Sequence, residues 1–157
     1  MFHLAQINIA KMLAPLEYPL MADFVARLDS INALADRSPG FVWRLQDEVG
    51  DATSIRVFED DRILINMSVW ESIEALSDYV YQSGHVSVLR DRKRWFTKVE
   101  GPSLALWWVR AGSTPEVDDA VRRLALLKVR GASVQAFTFA QPFSQPDPDA
   151  ALSLGAE

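Results

Sequence analysis

The residues of this chain whose types and spacing could do chemistry lie in two neighbouring stretches, Ile63-Leu64-Ile65-Asn66-Met67-Ser68-Val69-Trp70-Glu71 and Asp78-Tyr79-Val80-Tyr81-Gln82-Ser83-Gly84-His85-Val86. Side chains alternate along a strand, so Asn66, Ser68 and Trp70 share one face of the first stretch, opposite Ile63, Ile65, Met67 and Val69. The second stretch has a helical period and carries Tyr79 and His85, about a helix length from that face. Indole, amide, phenol and imidazole converging on one concavity would make a ligand pocket. Asn66 is the most telling member, because an amide in the middle of an apolar strand must find partners or face a polar cavity. Arg44, between Trp43 and Leu45, raises the same question: a charge there is paired, exposed or binding an anion. The competing reading is structural. His85 after Gly84 also suits a helix cap or a packing role, His3 near the terminus suits a structural one, and Trp70, Trp107 and Trp108 suit a core or an interface.

The composition narrows what such a pocket could use. At 157 residues, 49% of them hydrophobic, the chain suits one domain able to bury a core without disulfides. It has no cysteine, which removes disulfides, thiolate catalysis and Cys-ligated zinc or iron–sulfur clusters, and its two histidines cannot form an all-His metal site within one subunit. One histidine without a supporting pattern is also weak ground for haem. No metal and no cofactor are therefore expected. The formal charge of -5 argues against general nucleic-acid affinity. The local cluster Arg90, Arg92, Lys93 and Arg94 is read as a solvated helix face. No stretch approaches the roughly 20 apolar residues of a membrane span, and the first residues lack the basic and apolar pattern of a secretion signal, so no membrane partner and a cytoplasmic location are expected.

The elements that must position these residues follow from periodicity. His3 to Ile9 reads as a strand with Gln6 and Asn8 interleaved, and Met21 to Leu34 as an amphipathic helix ending by Ser38-Pro39-Gly40. Phe41 to Gln46 is the second strand; Ser54 to Phe58 is left open between an edge strand and a loop. Arg62 to Trp70 is the third strand, with Ser68 and Glu71 at capping-box spacing before a helix from about Glu71, and a second helical piece runs from His85 to about Phe96. Leu104 to Val109, apolar on both faces, predicts a central strand. Ser113-Thr114-Pro115-Glu116 predicts a capped helix from Pro115 to Arg130, closed at Gly131, before a last strand over Val134 to Phe139. The predicted domain is 1–143, and 144–157, rich in proline and polar spacers, is expected to be an extended or disordered tail.

Strand, helix, strand, strand, helix, strand is the ferredoxin-like split βαβ order, an α+β class with helices on one face of the sheet, here with an added C-terminal helix and strand. The other face needs a cover, and a homodimer whose two sheets face each other in an α/β barrel would supply it.

Up to about Phe143 the chain resembles a bacterial family without assigned activity in the dimeric α/β-barrel superfamily. The resemblance rests on Leu4-Ala5-Gln6-Ile7-Asn8, Ser38-Pro39-Gly40-Phe41-Val42-Trp43-Arg44-Leu45, Asn66-Met67-Ser68-Val69-Trp70-Glu71-Ser72, His85 with Arg92-Lys93-Arg94-Trp95-Phe96, and Leu106-Trp107-Trp108. It implies the fold, and a range of roles that includes quinol-type monooxygenases, polyketide cyclases and haem-degrading enzymes. More locally, Asp78-Tyr79-Val80 with His85-Val86 is similar to the olivetolic-acid-cyclase type, which implies His85 as general base or acid, Tyr79 as holder of the reacting oxygen and His3 as a pocket residue. Asn66 and Trp70, with Arg90 twenty residues on, resemble the pocket of actinorhodin-type quinol-forming monooxygenases, although the tyrosine that group places six residues after the tryptophan is Leu76 here.

The sequence thus predicts a homodimer with a mostly apolar pocket lined by Trp43, Arg44, Asn66, Trp70, Tyr79, His85, Arg90 and His3. That pocket would bind a small aromatic or polyketide-like metabolite and could transform it without a cofactor. The alternative is a non-catalytic dimeric module whose tryptophans fill the interior.

Overall fold

β1 (Phe2–Met12) runs through the middle of an antiparallel sheet, paired with β3 (Ile63–Trp70) on one side and β5 (Leu104–Arg110) on the other. β2 (Phe41–Arg44) adds to the outer edge of β3, and the two-residue β4 (Phe96–Thr97) pairs with the far end of β1. The long helices among the described residues are α1 (Ala22–Arg37), α2 (Ile73–Gln82) and α3 (Val117–Arg130). The computed structural model describes residues 1–46, 50–53, 55, 57–82 and 89–147. The order β2-β3-β1-β5 with α1 and α2 as the two crossings is the predicted split βαβ arrangement.

Alternation sorts the sheet into two faces of different character. Ala5, Ile7 and Ile9, with Ile65, Met67, Val69, Ala105 and Trp107, form one face, and α3 packs on it through Ala120, Leu124 and Leu127. Leu45, Ile55 and Phe58 complete that cover. The face expected to need a partner's sheet is therefore covered within one chain. Burying a leucine side chain contributes roughly 1.5–3 kcal/mol, so Leu124 and Leu127 hold α3 on the sheet within one chain. α1 and α2 lie together on the opposite face, above Leu4, Gln6, Asn8, Leu64, Asn66, Ser68 and Trp70.

Several expectations are corrected. β5 is an outer strand, and β1 is central: β5 is apolar on both faces because α3 packs on one and Phe137 on the other. The last strand, expected over 134–139, is reduced to a bridge in which the Leu106 and Phe137 amides each donate to the other's carbonyl at 2.8 Å. Beyond it, the Trp108 indole donates to the Phe143 carbonyl at 2.8 Å. α3 begins two residues later than predicted, after Glu116 and without a side-chain cap, and ends as expected at Gly131, whose φ is 77°. Ser68 is not a cap at all. The hydroxyl that accepts the first-turn N–H of α2, from Ala75 at 3.0 Å, belongs to Ser72. In the stretch expected as a helix from His85 to about Phe96, the described part is helical at 89–91 and then a 3-10 turn, Arg92–Arg94. No strand occurs among the described residues of 54–58.

Candidate ligand-binding site

The face under α1 and α2 changes character along its length. At one end Leu4, Trp70 and Leu106 pack with Ala35 of α1 and Leu76 of α2; at the other Met12 and Leu64 pack with Met21 and Trp95. Between these two small cores the paired positions are Gln6 opposite Ser68 and Asn8 opposite Asn66. Polar side chains there cannot give up water to an apolar helix without a partner, so the helices close at both ends and stand off in the middle. The result is a cleft of about 380 Å³. Its walls are Phe24, Leu28 and Ile31 of α1, Tyr79 and Val80 of α2, and Leu64, Leu104 and Phe96 of the strands.

The floor is a hydrogen-bonded chain. The Gln6 side-chain amide, 4% exposed, donates to Asn66 Oδ1 at 2.7 Å and to Ser68 Oγ at 2.8 Å. The Trp70 indole donates to the same Ser68 oxygen at 2.8 Å. Asn66 itself is exposed, although it sits in the middle of a strand whose other residues from Leu64 onward are buried. Trp70 is fully buried, stacked under Tyr79 with ring centroids 5.0 Å apart and met edge-on by Phe41. Burial pushes the Tyr79 phenol up to about 12, with Asp36 acting in the same direction and Arg44 against it. Its proton is directed at the Ile31 carbonyl, 3.3 Å away.

Arg44 reaches this cleft because β2 carries a register irregularity. Phe41 pairs with Trp70, but Trp43 pairs with Val69 and Arg44 with Ser68, so one extra residue is accommodated at Val42. Phe41 and Arg44 then share the cleft face, and Trp43 turns to the other, against the α3 core. The question posed by the Arg44 charge is answered by pairing: its guanidinium bonds both carboxylate oxygens of Asp36, at 2.8 and 3.3 Å, and the Gly50 carbonyl at 2.6 Å.

Of the predicted site residues, Arg44, Asn66, Trp70 and Tyr79 are brought together. His85 lies outside the described residues. Trp43 and His3 lie on the opposite face of the sheet: Trp43 through the bulge, and His3 through its odd position in β1, where it pairs with Val109. Arg90 does not line the cleft; Arg92 does, since two residues along a helical turn reverse the direction of a side chain. Arg94 is engaged elsewhere, bonded to Asp23 at 2.6 Å with its guanidinium over the Trp95 ring. Gln6 and Asn8 join the site without having been among its predicted residues, and the signal is their period of two on β1, which matches that of Asn66 and Ser68 on β3. The tryptophans do not fill the space: Trp95 and Trp107 are buried in the two other clusters. Among the described residues, no group of three or more His, Asp or Glu side chains could hold a metal ion. No helix of the described residues is long and apolar enough to cross a membrane.

A family model, Domain of unknown function (DUF3291), matches residues 3–152, which is nearly the whole chain. The chain belongs to this family. No curated protein matches this DUF3291 chain. Among solved structures it is similar to SnoaB, a cofactor-independent oxygenase from Streptomyces nogalater, at 19% identity over 74% of this chain and 100% of that one, with a TM-score of 0.48. It is also similar to NE2512, a protein of unknown function from Nitrosomonas europaea (14% identity, 74% and 97% covered, TM-score 0.48). A third is PA3566 from Pseudomonas aeruginosa (13% identity, 72% and 97% covered, TM-score 0.46).

Proposed function

We propose that this DUF3291 protein binds a small planar molecule in the cleft between the sheet and α1 and α2. The observation that carries this is the run of polar side chains, Gln6, Asn8, Asn66 and Ser68, facing into a space bounded by two apolar cores. A chain that only needed to pack its helices on its sheet would place apolar residues at these four positions, because each polar group kept there costs about 1–3 kcal/mol unless satisfied. Apolar walls that include the rings of Phe24, Tyr79 and Phe96 favour a ring system, and the polar groups of the floor would orient it. Titration with 2-methylnaphthalene as a neutral planar probe should quench part of the tryptophan emission, that of Trp70 at one end of the cleft. A Leu28→Trp variant, which fills the cleft from α1, should abolish that quenching without unfolding the protein. Unchanged quenching in that variant would place binding elsewhere.

The proposal extends to chemistry without a cofactor on an aromatic or polyketide-like ligand. Tyr79, which keeps its proton far above neutral pH, would serve not as a base but, on turning that proton from the Ile31 carbonyl, as a hydrogen-bond donor to a developing oxyanion. The base in this reading is His85. Loss of turnover with retained probe binding in His85→Ala would support it, and unchanged turnover would remove His85 from the reaction. A homodimer also belongs to the proposal, formed through surfaces other than the face that α3 covers.

A further inference from the structure

The floor of the cleft has a sign. Ser68 Oγ accepts from the Gln6 amide at 2.8 Å and from the Trp70 indole at 2.8 Å, which fills both of its acceptor positions and leaves its hydroxyl proton to be donated. The indole can only donate, so Ser68 Oγ accepts from it, and the Gln6 side-chain amide, with its Nε2 towards both Ser68 Oγ and Asn66 Oδ1, gives the rest of the chain its direction. Gln6 Nε2 has two protons and uses both, one on Ser68 and one on Asn66 Oδ1 at 2.7 Å. With its oxygen taken, exposed Asn66 turns its NH₂ group to the cleft, where that group has no hydrogen-bond partner among the described residues. On the wall, Arg92 adds only donors. The wall also carries the Asp51 carboxylate, whose Oδ1 accepts from the Thr53 backbone N–H at 2.9 Å and the Thr53 hydroxyl at 2.6 Å.

Building on the proposed binding cleft, we infer that the Asn66 and Ser68 part of its floor is a donor surface, oriented by Gln6, and that its ligand presents there an acceptor oxygen, a conjugated carbonyl or a carboxylate on a planar apolar frame. Gln6 is a positioning residue in this arrangement: 4% exposed, it acts through Asn66 and Ser68. A ligand that offers N–H to the same place would leave two donors facing each other in a desolvated site, which is the situation a polar site rejects most strongly.

The test uses four probes of one shape on the full chain at pH 7.5: 2-naphthoate, 2-acetylnaphthalene, 2-aminonaphthalene and 2-methylnaphthalene, with affinities read by calorimetry. The acid and the ketone should bind about tenfold or more tightly than the amine, as one satisfied against one opposed hydrogen bond implies. The tighter of the two would distinguish an oxyanion from a neutral carbonyl as the natural group, and either result upholds the inference. Asn66→Asp keeps the shape and replaces the donor by an acceptor, so it should reverse the order in favour of the amine. Gln6→Met should lower the ratio of ketone to amine affinity towards one while 2-methylnaphthalene binds as before; a purely structural Gln6 would lower stability and leave the ratio unchanged. Equal affinity for amine and ketone in the unaltered protein, with 2-methylnaphthalene still bound, would overturn the donor floor and leave the cleft standing. Failure of all four probes to bind would remove the cleft reading, and this inference with it.

Discussion

Tyr79 and Trp70 show what burial does to single residues at this site. The phenol keeps its proton to about pH 12 because the charged form would have to sit against the Trp70 ring and the α1 backbone. In the unfolded chain the same group titrates near 10, so between roughly pH 10 and 12 the folded state holds a proton that the unfolded state has lost. Stability from this group is complete below pH 10 and falls as pH rises through that window, by up to about 2 kcal/mol given the partial exposure of the ring. Denaturant unfolding of the unaltered protein and Tyr79→Phe at pH 9 and pH 11.5 should therefore show a smaller loss in the variant. Equal losses would mean that Tyr79 is solvated when folded. Asn66 was legible in the sequence as a residue needing an explanation, because an amide breaks an apolar strand whatever the fold. Its partner Gln6 was not: the two are 60 positions apart, and only pairing of β1 with β3 brings them to 2.7 Å.

At the scale of elements, the α1 to β2 turn decides where α2 sits. Gly40 has φ 83° and its carbonyl accepts from Glu71 at 2.7 Å; a Cβ placed on it would lie 2.5 Å from the Ala75 Cβ. The turn is bonded to Glu71 just before α2 and lies against the Ala75 side chain of its first turn, which holds Leu76 and Tyr79 over Trp70. Gly40→Ala should cost about 1–2 kcal/mol from the positive φ alone, with the clash in addition, and lower the melting temperature by at least roughly 3 °C. Because the displaced element is a cleft wall, probe affinity should fall with it. A melting temperature unchanged to within a degree would show that α2 shifts freely, and that the cleft is not held from this side. Helix periods and strand alternation placed α1, β1, β3 and α3 to within a few residues, since those signals are local. The bulge at Val42 carried no such signal, and with it went the side assignment of Trp43.

The whole molecule has a sheet covered on both faces by its own chain, and this bears on assembly. A dimer formed through other surfaces leaves each cleft built from the residues of one chain, so the affinity for a probe should not change with protein concentration. Sedimentation at micromolar concentration should give about twice the monomer mass, and calorimetry repeated across the dissociation range should give one constant. A monomer at every concentration would end the dimer proposal. An affinity that rises with dimer formation would bring partner residues into the cleft.

By itself the sequence determined the kinds of element, the apolar face of β3, the presence of a polar group where a core residue was due, and the chemistry excluded by the absence of cysteine. These are properties of periodicity and composition, which neighbouring residues carry between them. Only the tertiary structure decided that α3 closes the second face, that Arg44 is paired with Asp36 and not left for an anion, that Arg92 and not Arg90 reaches the cleft, and that four polar side chains from two strands form one floor. Each of these depends on register and on which face of the sheet a side chain leaves, and one inserted residue or one shifted pair reverses the outcome.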